Sequence, residues 1–199
     1  LLDDAAALHL TGYTFCEPPL LDVALWLLGQ ARARGLAVTI DPGSAAFLAR
    51  MGPTAFLRWT DGAAVCFPNR DEAAVLTGEA EPVAMAARLT RHYSVVLVKL
   101  GGAGCVLAVP GEAPVPIAAH PARATDTTGA GDAFCGAFMS RWLAALAADP
   151  TPADLTAADL TGGQQSYLAS EENFAAVQKL QKENRIIPLV GDFAGDKAI

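Results

Sequence analysis

The sequence predicts an α/β fold built on a mostly parallel sheet, and three observations carry that expectation. A short apolar run, a helical stretch and a second apolar run follow one another between residues 5 and 40, the spacing of a right-handed crossover unit. A second strong apolar run, Val95–Leu100, ends in the glycine-rich turn Gly101-Gly102-Ala103-Gly104 and leads into a hairpin partner. The composition, rich in Ala, Leu, Val and Gly and 18% charged, is that of a globular α/β chain. With 199 residues the chain is long enough to bury a sizeable core, and one domain is the default.

Ala5–Tyr13 reads as a buried strand ended by Gly12. Pro18 and Pro19 open a helix over Leu20–Arg34, with Leu21, Leu25, Leu28 and Ala31 on one face and Gly35 as its stop. Leu36–Ile40 is the next strand, stopped by Asp41-Pro42-Gly43. Ser44–Met51 has the pattern of a short helix, and Phe56–Thr60 that of a turn or helix. Ala63–Phe67 is a strand ending at Pro68-Asn69, after which Arg70-Asp71-Glu72 open a helix closed by Gly78. Acidic residues in a first turn complement the helix dipole, so a structural role for Asp71 and Glu72 is the simplest reading of the local sequence. Pro82–Tyr93 gives a further helix with Ala86, Leu89 and Tyr93 inward, and Pro114–Ala119 an edge strand that tolerates Pro116.

The stretch around which these elements are organised is Ala124–Phe134, ATDTTGAGDAF, a polar, glycine-punctuated turn feeding a helix over Ala133–Leu146. Gly129 and Gly131 allow a tight turn and a close approach to a ligand. The first-turn N–H groups of a helix have no internal partner and attract anions, phosphate above all. Asp132 stands at the mouth of that helix, where it can accept a proton. The same residues also read as a plain turn followed by an N-cap, and the local pattern leaves both readings open.

A formal charge of −7 argues against nucleic acid or an anionic membrane surface as a main partner. Cys16, Cys66, Cys105 and Cys135 lie far apart in apolar runs, without Cys-x-x-Cys spacing, and are expected to be buried free thiols in a reducing compartment. No apolar run approaches the ~20 residues of a membrane helix, and no signal-peptide pattern opens the chain, so a cytoplasmic location is expected. His9, His92 and His120 are scattered and are expected to be structural or surface residues.

Three stretches occur in order: Asn69-Arg70-Asp71-Glu72, Lys99-Leu100-Gly101-Gly102-Ala103-Gly104, and Asp126-Thr127-Thr128-Gly129-Ala130-Gly131-Asp132. Together they resemble the C-terminal half of the ribokinase-like (PfkB) carbohydrate kinases, over about residues 5–148. The last stretch is specific to that family and the other two support it. The resemblance implies a three-layer α/β/α sandwich around a mostly parallel sheet. It also implies transfer of the γ-phosphoryl group of ATP, with Mg2+, to a sugar hydroxyl. It makes Asp132 the catalytic base and gives Gly129, Ala130 and Gly131 the anion hole over the transferred group, a division of labour that suits phosphoryl transfer. Asn69 and Glu72 match the motif that orders magnesium and phosphate through water. Lys99, Gly101 and Gly104 match the turn that lines the nucleotide, and Asp126 and Thr128 match positions that hold a monovalent cation such as K+ in some members.

The match takes in only the later part of a family member. The first strands, most sugar-binding residues and the lid are therefore expected to be missing from these residues, with the sheet incomplete on its N-terminal side. Beyond Gly162 the character changes. Lys179, Lys182 and Lys197 replace an almost exclusive use of arginine, and Gln and Asn become frequent. Ser170–Asn184 reads as an amphipathic helix and Arg185–Val190 as a strand. We expect residues 1–161 to be the kinase portion and 162–199 a fused tail, the alternative being a divergent family C-terminus. Two activities follow, a sugar kinase in truncated form or a nucleotide-binding module without turnover. A third arrangement is a complex in which a partner supplies the missing half. The sugar and the oligomeric state are not given by these residues.

Overall fold

A computed structural model describes residues 2–119 and 129–148, with side chains up to residue 144. Six strands form one sheet: β1 (Ala7–Thr11), β2 (Ala37–Asp41), β3 (Val65–Cys66), β4 (Val95–Lys99), β5 (Cys105–Ala108) and β6 (Val115–Ile117). Their spatial order follows the chain order from β1 to β6. Pairings from β1 to β4 are parallel, and the β4–β5 and β5–β6 pairings antiparallel. Six α-helices accompany them: α1 (Leu20–Ala33), α2 (Ala45–Met51), α3 (Pro53–Thr60), α4 (Arg70–Thr77), α5 (Pro82–Leu89) and α6 (Ala130–Ala148).

Successive side chains of a strand point to opposite faces, and here the two faces belong to different helices. Leu8, Leu10, Val38, Ile40, Cys66, Val96, Val98, Val106 and Ala108 pack with residues of α1 to α5 in one core cluster. Val65, Phe67, Val95, Leu97, Cys105, Leu107 and Ile117 pack with Cys135, Phe138 and Trp142 of α6 in the other. The result is the expected sandwich, with five helices on one face and α6 on the opposite one.

The elements depart from their expected bounds in instructive ways. The third strand pairs over only Val65–Cys66, although Ala64 and Phe67 still bond to Val38 and Ile40 through their backbone. On α1 the fully buried residues are Ala24, Leu27, Leu28 and Ala31, with Leu21 and Leu25 at the rim of that face. α3 starts at Pro53, whose fixed φ suits a first helical position. α5 ends at Leu89, and Tyr93 is buried from the turn beyond it, bonded to Thr60 at 2.7 Å. Pro116 sits on β6, a strand paired on one side only among the described residues, so its missing N–H breaks no ladder bond. All four cysteines are free, Cys16 being partly exposed. No helix among the described residues is long and apolar enough to cross a membrane. The tail 162–199 lies outside the described residues.

Candidate active site

Parallel strands leave their carboxyl ends at one edge of the sheet, the usual place for a ligand in an α/β protein. Asp41 ends β2, Phe67-Pro68-Asn69 follow β3, and Lys99 ends β4. The N-termini of α4 and α6 open at the same edge. Lys99 is tied to the loop beside it by its N–H, which donates to the Pro68 carbonyl at 2.8 Å, and by a bridge to Asn69.

Asn69 is the N-cap of α4. Its Oδ1 accepts from the Glu72 N–H at 2.9 Å, while the Glu72 carboxylate accepts from the Asn69 N–H at 2.8 Å and from its Nδ2 at 2.7 Å. This is a complete capping box. Glu72 is 2% exposed, and burial pushes its carboxyl above the usual range against the lowering effect of the Asn69 bond. Glu72 thus has a structural part, as the second half of the cap on α4. Asp71 is exposed in the same first turn.

A cleft of about 310 Å³ opens beside this cap, lined by Asn69, Arg70, Lys99, Leu100, Gly101 and Ala103 among others. Three of the four residues expected to line a nucleotide, Asn69, Lys99 and Gly101, thus meet at one cleft. Gly104, the fourth, is not among its lining residues. A Cβ there would overlap the Ile117 carbonyl of β6, and its φ is +102°, so its glycine is explained by the approach of the edge strand. Arg70 was not singled out by the sequence. It is exposed, has no bonded partner among the described residues, and occupies the first position of α4, where a cation opposes the dipole.

α6 begins at Ala130, earlier than the apolar pattern suggested. Asp132 is consequently the third helical residue and not the N-cap. The preceding Gly129 has φ +75° and no side chain with which to cap, and its carbonyl accepts the first helical bond, from Ala133 at 2.9 Å. Among the described residues, nothing bonds to the N–H groups of Ala130, Gly131 and Asp132. Gly129, Ala130 and Asp132 are exposed and Gly131 is half-buried. The four residues expected to form base and anion hole thus share one open helical turn. Asp126 and Thr128, the candidate cation ligands, lie outside the described residues.

Beneath that turn lies a group the sequence reading missed. Asp41, 7% exposed, accepts from Lys99 Nζ at 2.7 Å, from Cys135 Sγ at 3.3 Å and from the Gly43 N–H at 3.1 Å. Burial alone would pull Lys99 down, but the negative charge of its neighbours outweighs it and holds the ammonium above its ordinary value. Burial pushes the Cys135 thiol well above its usual range, and Asp41 is the carboxylate bonded to the ammonium. The available signal in the sequence was a carboxylate ending an apolar run just before Pro-Gly. His9 joins the same polar stripe: its Nδ1 meets Thr39 Oγ1 at 2.8 Å, and Thr39 reaches Met139 Sδ at 3.1 Å. Burial lowers His9, so it is neutral and structural, as expected. His92 pairs with Asp61 at the surface, at 2.7 Å, and His120 lies outside the described residues.

Residues that could hold a metal directly are sparse: no group of three His, Cys, Asp or Glu side chains converges among the described residues. Mg2+ keeps several of its waters and rides on substrate phosphates, so one carboxylate behind Asn69 fits a hydrated ion held at one remove.

Residues 1–158 match the description "pfkB family carbohydrate kinase". The mouse ribokinase is 37% identical over 122 residues, which make up 57% of this chain and 36% of that protein. Among solved structures, a PfkB protein from Polaromonas sp. JS666 is 27% identical with a TM-score of 0.61, covering 71% of this chain and 47% of that one. The adenosine kinase from Sinorhizobium meliloti superposes with a TM-score of 0.64 at 23% identity, over 70% of this chain and 43% of its own. This chain spans less than half the length of each of these relatives. It belongs to the pfkB family of carbohydrate kinases.

Proposed function

We propose that this chain carries the phosphoryl-transfer end of an ATP-dependent carbohydrate kinase. The observation that supports this best is the open first turn of α6, with three N–H groups unbonded among the described residues and an exposed carboxylate, lying against Lys99, which also lines the cleft with Asn69 and Gly101. In the reaction, an acceptor hydroxyl oxygen bonds to the γ-phosphorus as the bridging P–O bond breaks, its electron pair leaving on ADP. Asp132 takes the hydroxyl proton. The N–H groups of Gly129, Ala130 and Gly131 donate to the equatorial oxygens, where charge is spread in the transition state. Asn69, Arg70, Lys99 and Gly101 hold the nucleotide phosphates, and Gly104 shapes the turn behind them.

Mg2+ would neutralise charge on those phosphates, with Asn69 and Glu72 ordering its water. Glu72 spends one lone pair on each oxygen in the cap and keeps the others for that role. Asp126 and Thr128 are kept as ligands for a monovalent cation such as K+. The kinase portion is assigned to residues 1–161 and the tail to 162–199, supported by the family match ending at residue 158.

The purified chain is mixed with ATP, magnesium and a panel of sugars, and ADP release is followed. Turnover that disappears in Asp132→Asn, with ATP binding retained, supports the kinase. A variant that keeps most of the activity removes Asp132 as the base. The cleft at Asn69, Lys99 and Gly101 also supports a second reading, a nucleotide-binding module, for which ATP binds and no sugar is turned over.

A further inference from the structure

Lys99 and Asp41 occupy a place where packing alone would select apolar residues. The strand pleat puts both on the face of the sheet covered by α6, in line with Val95 and Leu97 on β4 and with Thr39 on β2. Their side chains are 14% and 10% exposed and meet over the end of β3, which separates their strands. A buried ion pair is weak evidence for stability, since apolar side chains of like volume often serve as well or better. This pair carries a second disadvantage. A position one Cβ bond from Gly131 would lie 3.5 Å from Lys99 Nζ, so the ammonium sits directly under the first turn of α6, where a helix carries its positive end. The Asp41 carboxylate offsets that unfavourable position, and a further anion would offset it more.

The donor count points the same way. An ammonium has three N–H donors. One goes to Asp41 at 2.7 Å and a second, weak contact reaches Cys135 Sγ at 3.9 Å. The third has no acceptor among the described residues. Asp41 is also satisfied from other directions, by Gly43 and Cys135, so it holds its place whether or not Lys99 shifts. The other charged or titratable groups near the pair are His9, Tyr13, Cys66, Glu72, Asp132 and Cys135; burial lowers His9 and raises Tyr13 and both thiols, and the Glu72 carboxylate favours the ammonium.

Resting on the kinase reading, we propose that Lys99 donates its remaining N–H to a non-bridging oxygen of the transferred phosphoryl group from below the anion hole. Asp41 is the positioning residue that keeps this ammonium charged and aimed. Lys99 thereby acts on the group in flight between donor and acceptor, and not only on the bound nucleotide. It moves no proton. Its contribution grows as charge develops on the equatorial oxygens, so it acts on the rate more than on nucleotide affinity.

The full chain is compared with Lys99→Ala, Asp41→Asn and the double variant Lys99→Met/Asp41→Asn, the last removing both charges so that no lone buried ion is left. Two measurements are made, steady-state phosphoryl transfer and calorimetric binding of inorganic phosphate in the presence of ADP and magnesium. Lys99→Ala is expected to lose about a hundredfold in kcat, the scale of one anion-hole donor, with a much smaller change in KM for ATP. Methylamine or ethylamine in the buffer should restore part of that loss, which a purely structural lysine would not show. Asp41→Asn should move the alkaline limb of the rate profile to lower pH, because the carboxylate that holds the ammonium above its ordinary value is gone. The double variant should bind phosphate at least tenfold more weakly. A folded double variant with unchanged kcat and unchanged phosphate affinity overturns the proposal. If the wild-type chain turns over no sugar, the kinase reading fails on that result. The phosphate arm then decides Lys99 separately: weaker binding in the double variant supports it, and equal binding removes it.

Discussion

Two helix N-termini face the same edge of the sheet, and they are finished in opposite ways. α4 is sealed by its own side chains, Asn69 and Glu72 satisfying each other's backbone N–H groups in a closed box. α6 is preceded by Gly129 and, among the described residues, has no side-chain cap and leaves three N–H groups unbonded above the Lys99 ammonium. A sealed terminus is complete without a ligand. An open one, with free N–H groups above a cation that Asp41 only partly offsets, favours the arrival of an anion. The sealed end therefore frames the cleft, and the open end is the one we propose to hold the transferred group.

The largest effect that would test this contrast is on chemistry at α6. Asp132→Asn should lower phosphoryl transfer by about 10²–10⁴-fold, the range for a positioned base, while leaving the unfolding temperature in place, because Asp132 is exposed and its side chain has no bonded partner among the described residues. A comparable loss on an altered fold would show that the open end is structural after all. Gly129→Val comes next. It forces a β-branched side chain to φ +75°, at about 1–2 kcal/mol of strain, and should weaken phosphate binding more than it lowers stability. Normal phosphate affinity in that variant would break the assignment of the turn to an anion.

At the sealed end the order of effects reverses. Asn69→Ala should cost about 1 kcal/mol in denaturant unfolding, the usual value of a lost cap. Glu72→Gln keeps an acceptor for the Asn69 N–H and should be nearly neutral for stability, since either side chain completes a capping box. Transfer that nevertheless falls in Glu72→Gln would give the sealed end a share in ordering magnesium. The smallest effect is expected far from both termini, at the surface pair of Asp61 and His92. Asp61→Asn should change stability by less than ~1 kcal/mol and leave transfer unaffected.

Much of this was legible in the residues because it is set by neighbours in the chain. The capping box needs only Asn69 and Glu72 three positions apart, and Gly78 closes that helix in the left-handed conformation that glycine takes most readily. The start of α6 was placed three residues late, because Ala130-Gly131-Asp132 carries no apolar periodicity and glycine lowers helix propensity. That shift matters, for it turns Asp132 from a cap into a residue of the open turn. Gly104 shows the converse limit. Its reason is the Ile117 carbonyl of a strand that the turn itself does not announce.

The sequence by itself determined the order and type of the described elements and the family, and it singled out the stretch proposed to receive the phosphoryl group. Those properties follow from periodicity, turn chemistry and short motifs, all of which act within a few residues. Only the tertiary structure decided that Asp41, 58 positions from Lys99 and 94 from Cys135, joins them under the first turn of α6. The parallel register of β2, β3 and β4 and the two-residue pleat fix that meeting, and both are set by the packing of the whole sheet.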